Sequence, residues 1–296
     1  MGHSTHCLPM PGWVDSTTLP EGQCQNGGMN ASPSRLNPSD PAPEETPPRD
    51  AASVVLLRDG ASGLEVLLLR RHQNSGVLGG LYVFPGGKLD HADVEAHWQA
   101  LLDLPDEVLH QRLNEPDTPV HKARGLYVAA LRELWEEATV DMRWQVSALW
   151  PWSRWITPRN PPVGTPRFDT RFFLGRLPDG QDAVHDDHEA VESVWLAPRE
   201  ALARYWQREI ELIPPQLMAL AQLARHDSAA SAWEEALGRR APCIQPVHFM
   251  DGDVRAMCYP GDPLHPVPDR ALPGPTRLRF AQKRFEPFDG FEGWFR

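Results

Sequence analysis

The chain has 296 residues, of which 41% are hydrophobic, so it can bury a sizeable core in one large domain or two small ones. Its 29 basic and 40 acidic residues give a formal net charge of −11, which argues against non-specific binding to nucleic acid or to an anionic membrane. No apolar run approaches the ~18 residues of a membrane span, and the N-terminus lacks the charged and apolar regions of a signal peptide.

The four cysteines, Cys7, Cys24, Cys243 and Cys258, lie far apart and form no CxxC pair. A zinc site and a disulfide framework are therefore not expected, and reduced thiols in a cytoplasmic protein are the simplest interpretation. We predict a cytoplasmic protein that binds a small molecule and neither nucleic acid nor membrane. The sequence leaves a homodimer open.

The first 50 residues form a proline-rich leader. They contain nine prolines and few aliphatic side chains, so they cannot bury enough apolar surface to offset the entropy cost of ordering. We predict that residues 1–50 are disordered and that the folded domain begins at Ala51. Met29 is a candidate start of translation within this leader.

Three strand-like runs follow the leader. Ser53–Arg58 and Leu64–Arg70 are apolar, and the Asp-Gly-Ala-Ser-Gly between them has the turn residues of a hairpin. Leu81–Phe84 is a third, short strand, which a Pro-Gly-Gly turn ends. We predict that Gly86 and Gly87 in this turn contact substrate, because glycines let the backbone pass close to a ligand.

Helical spacing marks the next part of the chain. Residues 94–120 contain two short apolar segments, around Trp98–Leu102 and Glu107–Leu113. A longer helix begins near Lys122, and one of its faces is apolar and packs against the core. The residues of this face are Tyr127, Ala130, Leu131, Leu134 and Ala138.

Three carboxylates lie on the opposite face of the long helix. Glu133, Glu136 and Glu137 are three and four residues apart, which places them side by side. Their charges repel one another, and Mg²⁺ or Mn²⁺ removes the conflict because a hard divalent cation prefers carboxylate oxygen. Since Mg²⁺ held in this way usually serves the phosphates of a substrate, the helix indicates phosphate chemistry. An ordinary solvated acidic face is the alternative.

Two strands and three helices are predicted after the long helix, over Arg171–Leu177, Ser193–Leu196, Pro198–Trp206, Pro214–Ala224 and Ala229–Leu237. Residues 241–296 combine nine prolines with many aromatic side chains. We therefore expect residues 227–296 to form a loosely structured extension that packs on a domain ending at residue 226.

The glycine turn and the glutamate helix together resemble the signature of the Nudix hydrolases. That signature reads Gly, five residues, Glu, seven residues and then Arg-Glu-U-x-Glu-Glu-x-Gly-U, where U is aliphatic. Gly87 fits the first position, and Asp93 stands in the place of the Glu. The second half is matched by Arg132, Glu133, Leu134, Glu136, Glu137 and Val140.

The match has two departures. Thr139 replaces the family's glycine, and 38 residues (94–131) stand where seven are usual. A long insertion at this point is a feature of one branch, which resembles the peroxisomal coenzyme A diphosphatases and their bacterial relatives. Trp155–Pro158 and Arg167–Phe173 are similar to that branch as well, and the resemblance covers roughly residues 50–225.

The resemblance implies an α/β fold, the Nudix α/β/α sandwich with a mixed β-sheet between helices, over residues 51–226. It implies metal-dependent hydrolysis of a diphosphate linkage, with coenzyme A or acyl-CoA as the expected substrate. A nucleotide sugar or a dinucleotide is the alternative substrate. A Nudix-fold ligand sensor without turnover is the alternative of another class.

The resemblance also assigns roles to individual residues. Glu133, Glu136 and Glu137 would hold Mg²⁺ or Mn²⁺, and Arg132 would orient a carboxylate of the site. Either Glu133 or Glu189 would act as general base, although a polar turn is the other interpretation of the loop around Glu189. Arginines at strand ends can bind phosphate through paired hydrogen bonds or can simply be solvated. The candidates are Arg70, Arg71, Arg167 and Arg171.

Overall fold

The computed structural model describes residues 47–73, 79–159, 161, 166–186 and 188–296. Most of the proline-rich leader lies outside these residues, and the first strand begins at Arg49, two residues before the predicted start of the domain. Within the described ranges, no helix is both long and apolar enough to cross a membrane.

One mixed sheet forms the centre of the molecule. The strands that the structure describes in it are β1 (Arg49–Gly60), β2 (Gly63–Arg71), β3 (Tyr82–Val83), β4 (Gly86–Lys88), β5 (Leu149–Ile156), β6 (Phe168–Arg176), β7 (Ala190–Leu196) and β8 (Cys243–Ile244). Their order is β3-β2-β1-β6-β5-β8, with β4 also paired to β1 and β7 to β2. β1 runs parallel to β6 and β5 runs parallel to β8, whereas the other pairs are antiparallel.

Helices cover both faces of the sheet. They are α1 (Asp106–Leu113), α2 (Val120–Ala138), α3 (Pro198–Trp206), α4 (Pro214–Leu223) and α5 (Ala229–Gly238). Successive side chains of β1 point to opposite faces, so Val54 and Leu56 pack under α1 and α2 while Val55 and Leu57 pack under α3, α4 and α5. The prediction of an α/β/α sandwich with a mixed sheet is confirmed.

The insertion packs against the first half of α2. Leu109 and Leu113 of α1 are buried in the core beneath α2. Arg124 of α2 is buried as well, and its guanidinium donates to Asp106 at 2.5 Å and to the carbonyl of Val94 at 2.7 Å. The insertion is therefore part of the folded domain rather than a projection from it.

The C-terminal extension contains a second sheet. β9 (Val247–Asp251), β10 (Val254–Cys258), β11 (Arg277–Ala281) and β12 (Arg284–Pro287) form an antiparallel meander in the order β12-β11-β10-β9. Its buried side chains, together with Trp294, join the core under α3, α4 and α5. The expectation of loose structure is therefore wrong for β9 to β12, because these strands pair regularly and bury Met257 and Leu278.

Candidate active site

The last turns of α2 lie against the glycine turn. The backbone N–H of Gly86 donates to Oε2 of Glu137 at 2.8 Å. Gly87 passes so close to Glu133 that a Cβ at this position would overlap the carboxylate, and a Cβ on Gly86 would overlap the backbone of Ser53. Only glycine fits either position without displacing its neighbours, so the turn lies directly beside Glu133 and Glu137.

Arg132 joins the two halves of the signature. Its guanidinium is buried and donates to both oxygens of Asp93 at 3.0 Å, and to the carbonyl of Lys88 at 2.9 Å. The same group donates to Glu133 at 2.7 Å and to Glu136 at 2.9 Å. Burial alone would lower the pKa of Arg132, but the hydrogen bonds to Asp93 and the nearby glutamates raise it above its usual value. Arg132 is therefore a fixed cation that orients two of the three helix carboxylates.

Arg71 approaches the same carboxylates from β2. Its side chain lies on the same face of β2 as Leu69, which packs under α2. Arg71 donates to Oε1 of Glu137 at 3.4 Å and to Oε2 of Glu189 at 3.3 Å. The structure thus brings Glu189 to the helix glutamates through a shared arginine. The four residues Glu133, Glu136, Glu137 and Glu189 are called the carboxylate cluster below.

Arg70 lies on the other face of the sheet. Its guanidinium is 3.7 Å from Glu192, which also accepts a hydrogen bond from the hydroxyl of Tyr82 at 2.8 Å. Burial and the bond to Glu192 raise the pKa of Tyr82 to about 12. Neighbouring residues of a strand point to opposite faces, so Arg70 and Arg71 do not meet one phosphate together.

Arg167 and Arg171 are not brought to the carboxylates either. Arg167 is buried and donates to the carbonyl of Thr157. Arg171 is buried under the first turn of α2, within a set of side chains called the ion-pair cluster below, namely Asp50, Glu115, Lys122, Arg154, Asp169 and Arg171. Since carboxylates already surround Arg171, this arginine serves the fold instead of a substrate.

Burial opposes ionisation of the helix carboxylates. It raises the pKa of Glu133 to about 7 and that of Glu137 to about 8, and it also raises the pKa of the more exposed Glu136. The neighbouring arginines counteract this effect only in part. The carboxylate cluster is thus under electrostatic stress that an additional cation would relieve.

The donor set fits a hard divalent cation, since every candidate ligand is a carboxylate oxygen. Among the described residues, no group of three His, Cys, Asp or Glu side chains is already arranged around one point. Arg132 and Arg71 each donate to two carboxylates of the cluster, to one oxygen of each.

Comparison with known proteins agrees with this geometry. A sequence model described as the NUDT19 Nudix domain matches residues 137–223. Acyl-coenzyme A diphosphatase NUDT19 of Homo sapiens is 27% identical over 277 residues, which cover 69% of this chain and 73% of that protein. The protein of the same name from Xenopus laevis is 25% identical and covers 71% of this chain. The chain thus resembles the Nudix hydrolases in sequence.

The fold has a counterpart of known structure. A crystal structure of a NUDIX hydrolase from Alicyclobacillus acidocaldarius aligns with 67% of this chain and 99% of that one. The TM-score is 0.53 and the sequence identity is 24%, so this likeness supports the fold alone.

Two residues that differ from the Nudix signature, Asp93 and Thr139, have a structural explanation. Asp93, one methylene shorter than the usual Glu, still reaches two nitrogens of Arg132. Asp93 and Arg132 lie 39 positions apart in the sequence, so only the signature itself could have indicated this ion pair. Thr139 caps α2 in the left-handed conformation, with φ 54° and ψ 20°, where glycine carries no steric penalty.

Proposed function

We propose that this protein is a Nudix hydrolase that cleaves the diphosphate linkage of coenzyme A or acyl-CoA with the help of Mg²⁺ or Mn²⁺. The carboxylate cluster beside the glycine turn supports diphosphate chemistry, and the relatives named acyl-coenzyme A diphosphatase support the choice of substrate. The products would be a 3′,5′-bisphosphorylated adenosine and a phosphopantetheine. The cysteine pattern supports a cytoplasmic location.

Glu133, Glu136 and Glu137 are the proposed metal-binding residues. When bound, a divalent cation neutralises phosphate charge and makes a nearby water more acidic. Arg132 keeps the side chains of Glu133 and Glu136 on the same side of α2. The N–H of Gly86 fixes Oε2 of Glu137, and the proposed metal-binding oxygen is Oε1, to which Arg71 donates in this structure.

Glu133 is the proposed general base. Its carboxylate lies against Gly87 of the glycine turn and is less exposed than that of Glu189, with 13% against 60% of the side chain accessible. Glu189 remains the alternative, because Arg71 connects it to the cluster from a more exposed loop. The general base would accept the proton of the attacking water while Arg71 contacts a phosphate oxygen.

Substitution separates the two candidates for the base. Glu133→Gln should lower kcat by on the order of 10²–10⁴, the range for a general base, and abolish the acidic limb of the pH–rate profile. Glu189→Gln should keep that limb and affect mainly KM. The reverse pattern would assign the base to Glu189.

A substrate panel tests the proposed function. The kcat/KM values for coenzyme A, an acyl-CoA, dephospho-CoA, ADP-ribose and NADH should be compared in Mg²⁺ and in Mn²⁺. We expect coenzyme A species to be preferred over dephospho-CoA by at least about tenfold, because a hydrogen bond to the charged 3′-phosphate is worth ~1.5–3 kcal/mol. A preference for ADP-ribose would remove the coenzyme A assignment and favour a nucleotide-sugar or dinucleotide diphosphatase. Metal-dependent binding without turnover of any compound would indicate a sensor.

A further inference from the structure

In the part of the chain that the structure describes, two arginines contact the carboxylate cluster, and they are held very differently. Arg132 is buried and makes its contacts at 2.7–3.0 Å, partly with Asp93 and a backbone carbonyl outside the cluster. The side chain of Arg71 is 22% exposed, and its two hydrogen bonds are long, at 3.3 and 3.4 Å. Of the two cations, Arg71 is therefore the one that can leave.

We propose that Arg71 is a phosphate-binding residue whose guanidinium occupies the place of the divalent cation until that cation binds. The inference rests on the proposed function and adds an exchange of cations to it. It is carried by the position of the Arg71 guanidinium between Glu137 and Glu189, which come from different elements of the fold.

Charge decides the direction of the exchange. A divalent cation at the oxygens of Glu137 competes directly with the guanidinium of Arg71, and the double charge of the metal repels the guanidinium. Arg71 remains tethered at the end of β2, so the displaced guanidinium stays beside the metal site. There its paired N–H groups are free to bind a phosphate oxygen of the substrate.

Two binding properties follow from this exchange. Arg71 opposes metal binding when no phosphate is present, because the cation must first break two ion pairs. With a diphosphate bound, the displaced guanidinium has a new partner, so diphosphate should tighten metal binding. By thermodynamic linkage the metal must then tighten diphosphate binding by the same factor.

Arg70 provides a matched control. It is the neighbouring arginine on the same strand, but it faces the other side of the sheet and pairs with Glu192. Arg70→Ala removes the same charge from nearly the same point of the chain and leaves the contacts of the carboxylate cluster in place. An effect confined to Arg71→Ala is therefore an effect of position rather than of net charge.

The test measures Mn²⁺ binding without turnover. Free Mn²⁺ is followed by electron paramagnetic resonance, with and without methylenediphosphonate, in the wild type, R71A, R70A and E136Q. We expect R71A to bind Mn²⁺ alone about threefold more tightly than the wild type, as expected for loss of a partly exposed ion pair. We expect the analogue to tighten Mn²⁺ binding by about tenfold less in R71A than in the wild type. R70A should match the wild type in both measurements.

The outcomes separate the exchange from the proposed function. If R71A binds Mn²⁺ no more tightly than the wild type and keeps the full effect of the analogue, the exchange is wrong while the metal site stands. If E136Q binds Mn²⁺ as tightly as the wild type, the assignment of the metal site is wrong, and the exchange of cations that depends on it is wrong as well. Weaker Mn²⁺ binding in R71A would make Arg71 a support of the metal site, which also contradicts the exchange.

Discussion

The two ends of helix α2 carry charge clusters that differ in balance. At the first turn, the ion-pair cluster sets three cationic side chains against three anionic ones. At the last turns, the four glutamates of the carboxylate cluster meet two arginines, and Arg132 is already paired with Asp93. Lys122 and Glu136 lie about 20 Å apart along the helix axis, so the clusters are separate. The charges of the ion-pair cluster already neutralise one another, whereas the carboxylate cluster has an excess of negative charge that a bound cation would neutralise.

The largest expected effect is the loss of activity when the carboxylate cluster loses one ligand. Glu136→Gln should lower kcat/KM by on the order of 10³, because a bound metal contributes several kcal/mol to stabilising the transition state. The Tm should change little, since the Glu136 side chain is 41% exposed. The rate is to be measured with saturating Mg²⁺, beside a thermal melt. A near wild-type rate under these conditions would remove Glu136 from the site.

The opposite behaviour is expected at the other end of the helix. Arg171→Ala leaves the carboxylates of Glu115, Asp50 and Asp169 without their buried partner, which should cost about 3–5 kcal/mol of folding stability. The kcat of the protein that remains folded should stay near the wild-type value. Urea unfolding and active-site-normalised rates provide the two measurements.

Arg71→Ala is the matched control for this comparison. Its ion pairs are partly exposed, so stability should fall by no more than about 1 kcal/mol. Equal losses of stability in Arg71→Ala and Arg171→Ala would contradict the distinction between a structural ion-pair cluster and a functional carboxylate cluster.

The raised pKa values predict a pH dependence of stability for the metal-free protein. Glu133 and Glu137 have pKa values of about 7 and about 8 in the folded state, against 4.5 for an ordinary glutamate. Between pH 4.5 and pH 8 the folded state therefore binds more protons than the unfolded state, and stability falls as the pH rises. In EDTA the Tm should be lower at pH 8 than at pH 6, and Mg²⁺ should raise it more at pH 8.

Glu137→Gln isolates the contribution of the cluster to this trend. The variant cannot ionise at position 137, so its Tm should fall less than that of the wild type between pH 6 and pH 8. Parallel pH profiles for the two proteins would show that the carboxylate cluster is not the source of the trend.

The smallest expected effect concerns the residue that ends α2. Thr139 has φ 54°, and a β-branched residue pays of order 1 kcal/mol for this left-handed conformation. Thr139→Gly should relieve this strain and raise the free energy of unfolding. The gain should be only about 0.5 kcal/mol, because glycine loses more conformational entropy on folding. Thr139→Ala, which keeps the Cβ, is the control. If the glycine variant is the less stable of the two in urea, strain at this position is not the reason for the family's preference.

The fold was predictable where the local pattern and the tertiary contacts agree. The apolar face of α2 and the apolar runs of β1 and β2 predicted these elements, whereas the sandwich was implied by the resemblance to the Nudix hydrolases. β5 was missed because Pro151 argues against a strand, and in the structure Pro151 lies where the pairing with β6 shifts register. The meander was missed because of its prolines, although the Asp-Gly pair between β9 and β10 is a hairpin signal.

The carboxylate cluster could be predicted in part. The spacing of the glutamates on one helix depends only on helix geometry, and so the sequence places them together. The arginine partners depend on contacts between distant segments, such as Arg171 with Glu115 of the insertion. The opposite orientations of Arg70 and Arg71 follow from strand alternation, and that alternation alone argues against a joint phosphate site.

Product analysis with metal-stripped protein tests the central claim most directly. Coenzyme A is incubated with the full chain in EDTA and then with increasing Mg²⁺ or Mn²⁺, while the release of 3′,5′-bisphosphorylated adenosine is followed by chromatography. We predict no product in EDTA, saturable release with either metal, and loss of that release in Glu136→Gln. Equal release in EDTA, or metal-dependent release that survives in Glu136→Gln, would contradict a metal-dependent diphosphatase site at the carboxylate end of α2.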